Sequence, residues 1–203
     1  MNREQPMKQL HIVSVGISLL TNYAKTNNLP LAQVLRHHKQ LAAFLKADPR
    51  AACSEINSLD ARTGLLRKKN KGLAVTLVYS ATPGRESILT ARLIGNCLKL
   101  RGVEVNEIKL ADIGVPANAL AEPGEAARLA EAGLIRLYDK LEAHVEKLRQ
   151  RHPDLEVALN VTGGYKAETA ILYSLGCDLG IPVYYLHETY KVPITLPVCA
   201  VPF

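Results

Sequence analysis

Short apolar, β-branched runs alternate along the chain with longer stretches in which apolar positions recur every three or four residues. That rhythm belongs to a largely parallel sheet flanked by helices, where strands are buried on both faces and the crossover helices are amphipathic. LHIVSV (10–15), LAVTLVYS (73–80), VEVNEI (103–108), LEVALNV (155–161) and IPVYYLH (181–187) predict five strands. VPITLPV (192–198) predicts a sixth at an edge, the place its prolines suit.

Between the second and third strands, Thr82 and Pro83 predict a helix start and Gly102 its stop. The apolar stripe of that helix is Leu89, Leu93, Cys97 and Leu100. Glu125 to Arg151 predicts a long amphipathic helix with Leu134, Leu137, Leu141, Val145 and Leu148 on one side, a stripe for the core rather than for a partner. Residues 29–72 are less regular and read as a helical insertion, with helices over 30–47 and 49–60 and then the basic loop RTGLLRKKNKG. The fold class that follows is α/β, Rossmann-like, one domain over residues 1–203 with that insertion after its first strand.

Composition narrows the class without naming a function. At 203 residues and 48% hydrophobic, the chain can bury one substantial core. A net charge of +6 and a pI near 9.2 favour anionic partners without requiring them. The five cations between Arg62 and Lys71 have no aromatics among them, which reads as a solvated loop rather than a nucleic-acid surface. Cys53, Cys97, Cys177 and Cys199 lie far apart, with no C-x-x-C pair or zinc spacing, so reduced thiols and a cytoplasmic protein are expected. MNREQPMKQLHIVSV turns apolar too briefly for a signal peptide, and no run reaches the roughly 20 apolar residues of a membrane span.

In an open parallel sheet, ligands bind beyond the carboxyl ends of the strands, and three of the loops expected there carry chemistry. GISLLTN follows the first strand with Ser18, Thr21 and Asn22. SATPGRES follows the second with Ser80, Thr82, Arg85 and Ser87, and NVTGGYK (160–166) closes the fourth. Hydroxyls, amides, two cations and two helix starts suit a phosphodiester better than carbonyl chemistry. Gly163 and Gly164 let backbone approach a ligand, the next helix offers unpaired N–H groups, and Lys166 adds a full charge. By spacing alone, the same residues also describe a tight turn with a solvated lysine. Dinucleotide, P-loop and nucleophile-elbow motifs are absent from the sequence. Asp154 and Glu156 lack the lysine a metal-nuclease pair would need, since Ala158 stands there.

VSVGISLLTN paired with NVTGGYKAETAILYSLGCDLGIPVYYLHE resembles the CRISPR-associated Rossmann-fold (CARF) family, closest to its stand-alone ring nucleases and the sensor halves of ancillary effectors. The resemblance implies a homodimer that binds cyclic oligoadenylate, most often the four-membered ring, across its two-fold cleft. It places Gly16, Ile17, Ser18, Thr21 and Asn22, together with Thr162, Gly163, Gly164, Tyr165 and Lys166, around phosphates and ribose. Ser18 and Lys166 match the pair that ring-cleaving members use. Ser80, Thr82 and Arg85 join the ligand-binding set by their place after the second strand. His187, at the end of the last parallel strand, is a further candidate whose plainer reading is structural.

The implied reaction is metal-independent: each ribose 2′-OH attacks its neighbouring phosphodiester, leaving a 2′,3′-cyclic phosphate. It uses no cofactor and no metal. Many family members continue into a winged helix or a ribonuclease domain, whereas this chain stops at PVCAVPF, with no R-x(4–6)-H signature and no DNA-binding helix pair. The expectation is therefore either a stand-alone ring nuclease, the preferred reading, or a non-catalytic sensor of the same ligand. An unrelated Rossmann-like enzyme for a small phosphorylated metabolite is the outsider.

Overall fold

The computed structural model describes residues 7–68, 70–80, 86–110, 123–187 and 189–198. Six strands form one sheet: β1 (Gln9–Ser14), β2 (Leu73–Ser80), β3 (Glu104–Leu110), β4 (Glu156–Asn160), β5 (Val183–Leu186) and β6 (Pro193–Leu196). Their order is β3-β2-β1-β4-β5-β6. The first five are parallel, and β6 runs antiparallel to β5 at the edge predicted for it. The chain thus walks outward from β1 to β3 and returns to lay β4 on the other side of β1. Connections diverge where β1 and β4 lie side by side, and their carboxyl ends open a crevice.

Alternating strand residues feed two cores. Val13, Val75 and Leu77 pack with helices α1 (Ser18–Thr26), α2 (Leu31–Val34), α3 (His38–Ala47), α4 (Pro49–Ala52), α5 (Ser54–Thr63) and α6 (Glu86–Lys99). Leu10, Ile12 and Val78 face the other way, onto Leu137, Leu141 and Val145 of α7 (Pro123–Arg151) and Leu172 and Leu175 of α8 (Lys166–Leu179). The fold is thus a Rossmann-like α/β layering with helices on both faces. Among the described residues, no helix is long and apolar enough to cross a membrane.

Several expectations shift in detail. The loop expected at 16–22 is short, because α1 already begins at Ser18. The helix expected over 30–47 divides into α2 and α3, and the one expected over 49–60 divides at Cys53, whose φ of −143° is extended. Asp48 caps α4 by accepting the Ala51 N–H at 3.0 Å, and Arg50 pairs with Asp60 to tie α4 to α5. Arg62, assigned to the basic loop, is still in α5 and lies 5.6 Å over the Tyr184 ring. Leu100 is 86% exposed because α6 ends one residue before it, while Leu89, Leu93 and Cys97 are buried as expected. Thr82 and Pro83 lie outside the described residues.

α8 approaches β5 at Gly176, where an added Cβ would sit 2.3 Å from Val183 Cγ2 and 3.0 Å from the Ile181 carbonyl oxygen. Gly176→Ala should lower stability by roughly 1–3 kcal/mol, the usual cost of overpacking a filled contact. Urea denaturation measures this, and an unchanged midpoint would contradict so close a helix–strand contact.

Candidate functional site

The crevice is built on a carboxylate. Glu55, at the start of α5, is only 1% exposed, and four donors converge on it. Its Oε1 accepts the Gly16 N–H at 2.8 Å. Its Oε2 accepts the Ser18 hydroxyl at 2.5 Å, the Ser54 hydroxyl at 3.0 Å and the Cys53 thiol at 3.2 Å. Burial, with the Glu55 charge adding to it, pushes the Cys53 thiol well above its ordinary pKa, so this cysteine is an inert donor and not a nucleophile.

The glycine turn closes against the same carboxylate. A Cβ at Gly163 would fall 2.2 Å from Glu55 Oε1, so no larger residue fits between them. Gly164 has φ +91°, a backbone that favours glycine, and a Cβ there would meet Ser14 Cβ at 2.7 Å. Ser14 Oγ donates to the Gly163 carbonyl at 2.5 Å. A Cβ at Gly16 would lie 2.8 Å from the Gly164 nitrogen, so the loops after β1 and β4 touch backbone to backbone. Buried Asn160 accepts the Thr162 N–H and hydroxyl and donates to Ser58 Oγ at 2.7 Å. Thr162 Oγ1 in turn accepts the Leu186 N–H at 2.9 Å.

Beside this knot lies a cleft of about 1090 Å3 whose lining includes Ser18, Asn22, Arg50, Ser54, Thr162 and His187. Lys25 and Lys191 add positive charge to its wall. Tyr165 and Lys166 are exposed at the start of α8 and are not part of that lining. At that helix start the Tyr165 N–H is already taken by the Glu168 carboxyl, and Lys166 supplies an exposed cation.

The remaining candidates divide. Ile17 packs half-buried on the α1–α6 core, and Thr21 is exposed with its hydroxyl donating to the Ser18 carbonyl at 3.0 Å, so neither side chain is among those lining the cleft. Asn22 spends its amide hydrogens on the Ala51 and Ala52 carbonyls at 3.2 and 3.1 Å, leaving its oxygen for a ligand. His187 Nδ1 accepts the N–H groups of Thr189 and Tyr190 at 3.2 and 3.4 Å, and its ring stacks on Tyr190 at 4.5 Å. That acceptor role places its proton on Nε2 and accounts for it as a hairpin brace. Thr82 and Arg85 lie outside the described residues. Asp154 and Glu156, at the amino-terminal end of β4, lie by a separate cleft of about 630 Å3, lined also by Met7, Gln9 and Gly72 from the amino-terminal ends of β1 and β2.

Glu168 was not anticipated from the sequence. It sits fully buried in the first turn of α8, where its Oε2 accepts the Tyr165 N–H at 3.2 Å, close beneath Gly164. Ser80, at the end of β2, lies beside it, yet neither Ser80 Oγ nor Glu168 Oε1 completes a regular hydrogen bond among the described residues. Burial raises the Glu168 pKa from 4.5 to about 7, a rise that the Tyr165 N–H and Ser80 only partly offset.

A family described as CRISPR-associated protein (Cas_APE2256) matches residues 50–199. No curated protein matches the sequence significantly. Among solved structures, the chain is similar to Enterococcus italicus Csm6 bound to cyclic hexa-2'-fluoro-hexa-dAMP, at 9% identity and a TM-score of 0.48 over 91% of this chain and 35% of that one. It is also similar to Can2 from Sulfobacillus thermosulfidooxidans in complex with cyclic tetra-adenylate, at 13% identity and a TM-score of 0.44 over 94% of this chain and 35% of that one. The chain therefore spans about a third of the length of each of these proteins.

The Glu168 carboxyl makes stability depend on pH. Between its unfolded pKa of 4.5 and its folded pKa of about 7, the native state keeps a proton that the unfolded chain has shed. Stability from this group is therefore greatest at low pH and is lost as pH rises through that window. Glu168→Gln should match the wild type at pH 4.5 and exceed it at pH 8 by on the order of 3 kcal/mol in urea denaturation. A difference independent of pH would contradict the assignment.

Proposed function

The chain belongs to the CRISPR-associated Cas_APE2256 family, and we propose that it binds cyclic oligoadenylate, with the four-membered ring preferred, and cleaves it slowly by transesterification. The observation that carries this reading is the meeting of two loops where β1 and β4 end. There Ser18 lines a wide cleft, while Gly163 and Gly164 pack on Glu55 and Ser14 and lead into α8, which opens at Lys166. Hydroxyls and amide groups on one side and a cationic helix start on the other suit alternating ribose and phosphate.

In this reading the ribose 2′-oxygen attacks the adjoining phosphorus and the 5′-oxygen leaves. One P–O bond replaces another, the 2′-hydroxyl loses a proton and the 5′-oxygen gains one, so no water is consumed. The nucleophile comes from the ligand, and the protein's part is to hold attacking oxygen, phosphorus and leaving oxygen in line. Lys166 and the α8 N–H groups stabilise charge gathering on the non-bridging oxygens. With His187 engaged by backbone N–H groups, no free imidazole serves as base among the proposed site residues, which accords with slow turnover. A ring of even symmetry is best held across a two-fold axis, so the working form is a homodimer with one shared site.

Incubation of the protein with cyclic tetra-adenylate and EDTA, followed by chromatography, should yield linear products ending in 2′,3′-cyclic phosphate. Retention of intact ring would leave a sensor, and absence of binding would point to another phosphorylated ligand. Lys166→Ala should slow the single-turnover rate on the order of a hundredfold while affinity falls less, because the lysine acts on charge that grows in the transition state. A loss confined to affinity would reduce Lys166 to a ground-state clamp.

A further inference from the structure

Glu55 does more than close the crevice. A carboxylate accepts hydrogen bonds and donates none, so the Ser18 hydroxyl hydrogen, 2.5 Å from Oε2, is turned inward. One Ser18 lone pair is taken by the Ser54 N–H at 3.1 Å. What remains toward the cleft is a single lone pair. The Ser54 hydroxyl, which lines the same cleft, also turns its hydrogen to Glu55 Oε2, at 3.0 Å. Two hydroxyls thus present acceptors to the ligand, next to a buried negative charge.

This polarity decides what Ser18 can recognise. A phosphate oxygen needs a donor and finds none in a hydroxyl so oriented. A ribose 2′-hydroxyl carries a proton to give. We propose that Glu55 is a positioning residue that fixes Ser18 as a hydrogen-bond acceptor for a ribose 2′-hydroxyl, and so makes the crevice selective for ribonucleotide rings. The inference rests on the cyclic oligoadenylate reading, but it holds whether the ring is cleaved or only sensed. It also assigns division of labour: the phosphates belong to Lys166 and the start of α8, and Ser18 belongs to the sugar.

Affinity for cyclic tetra-adenylate and for its 2′-fluoro counterpart tests this, measured by rapid mixing before turnover. Fluorine is close to hydroxyl in size and cannot donate. The wild type should prefer the ribose ring by about tenfold or more, the worth of one well-placed hydrogen bond. In Glu55→Gln, an isosteric amide can keep the Gly16 N–H bond while its NH2 group donates to Ser18, freeing the serine hydrogen for the cleft. The preference should then shrink to about threefold or less, with affinity for the fluoro ring little changed. Equal binding of both rings by the wild type would overturn the inference while leaving the parent reading intact. An undiminished preference in Glu55→Gln would overturn it as well. Failure of the wild type to bind either ring would sink the parent reading and this one with it. If Glu55→Gln does not fold, Ser18→Ala decides: it should lose the same preference, and keeping it would refute the assignment.

Discussion

Burying one carboxylate at the junction of three chain segments is the constraint on which this crevice depends. Glu55 has left water, and its charge is met by an N–H, two hydroxyls and a thiol drawn from the β1 loop and from its own helix. Such a group is costly unless every lone pair is used, and removing one partner leaves the rest uncompensated. The glycine turn after β4 then has no freedom to drift, because Gly163 lies directly on the carboxylate and Gly164 lies on Ser14. Strand ends that a sheet would otherwise leave as loose connections become a rigid wall. The Asn160, Ser58 and Thr162 network extends that wall to β5.

Rigidity here is functional because the proposed chemistry is mostly geometric. When the ligand carries its own nucleophile, a protein accelerates reaction by alignment and by fixed dipoles, and both require groups that do not reorganise. In the proposed complex the fixed part faces the sugar. There Lys166, exposed at the start of α8, brings a compact cation to the phosphates. Glu168, buried beneath the same helix start, carries a carboxyl whose charge is suppressed by burial, so the proposed phosphate contacts are spared a full negative charge below them at mildly acid pH.

The parallel sheet, the edge strand and the amphipathic α7 were legible in the sequence because each writes a periodicity that nothing else produces. The NVTGGYK turn was legible because a glycine pair between an apolar run and a helix marks close backbone approach, whereas its spacing alone does not separate a phosphate cradle from a tight turn with a solvated lysine. The helices between residues 31 and 63 were harder, since their breaks come from an extended Cys53 and from the Leu35–His37 turn, neither of which carries proline or glycine. Glu55 was missed because AACSEINSLD reads as an ordinary amphipathic helix with its acid outside. The available signal was the pair Ser54 and Ser58 around it, small hydroxyls that suit a buried acceptor. Leu100 misled in the opposite sense, by continuing a stripe past the end of its helix. Thr21 and Ile17 entered by their place in the loop after β1; the Thr21 hydroxyl donates to the Ser18 carbonyl, Ile17 packs on the core, and neither lines the cleft.

The most direct test of the account is a crystal structure of the Lys166→Ala protein with cyclic tetra-adenylate bound. The account predicts one ring on a two-fold axis between two protomers, with a ribose 2′-hydroxyl donating to Ser18 Oγ and phosphate oxygens at the first turn of α8. A ring seated elsewhere, such as the cleft by Met7, Gly72 and Arg151, or one that turns phosphate rather than ribose toward Ser18, would contradict it.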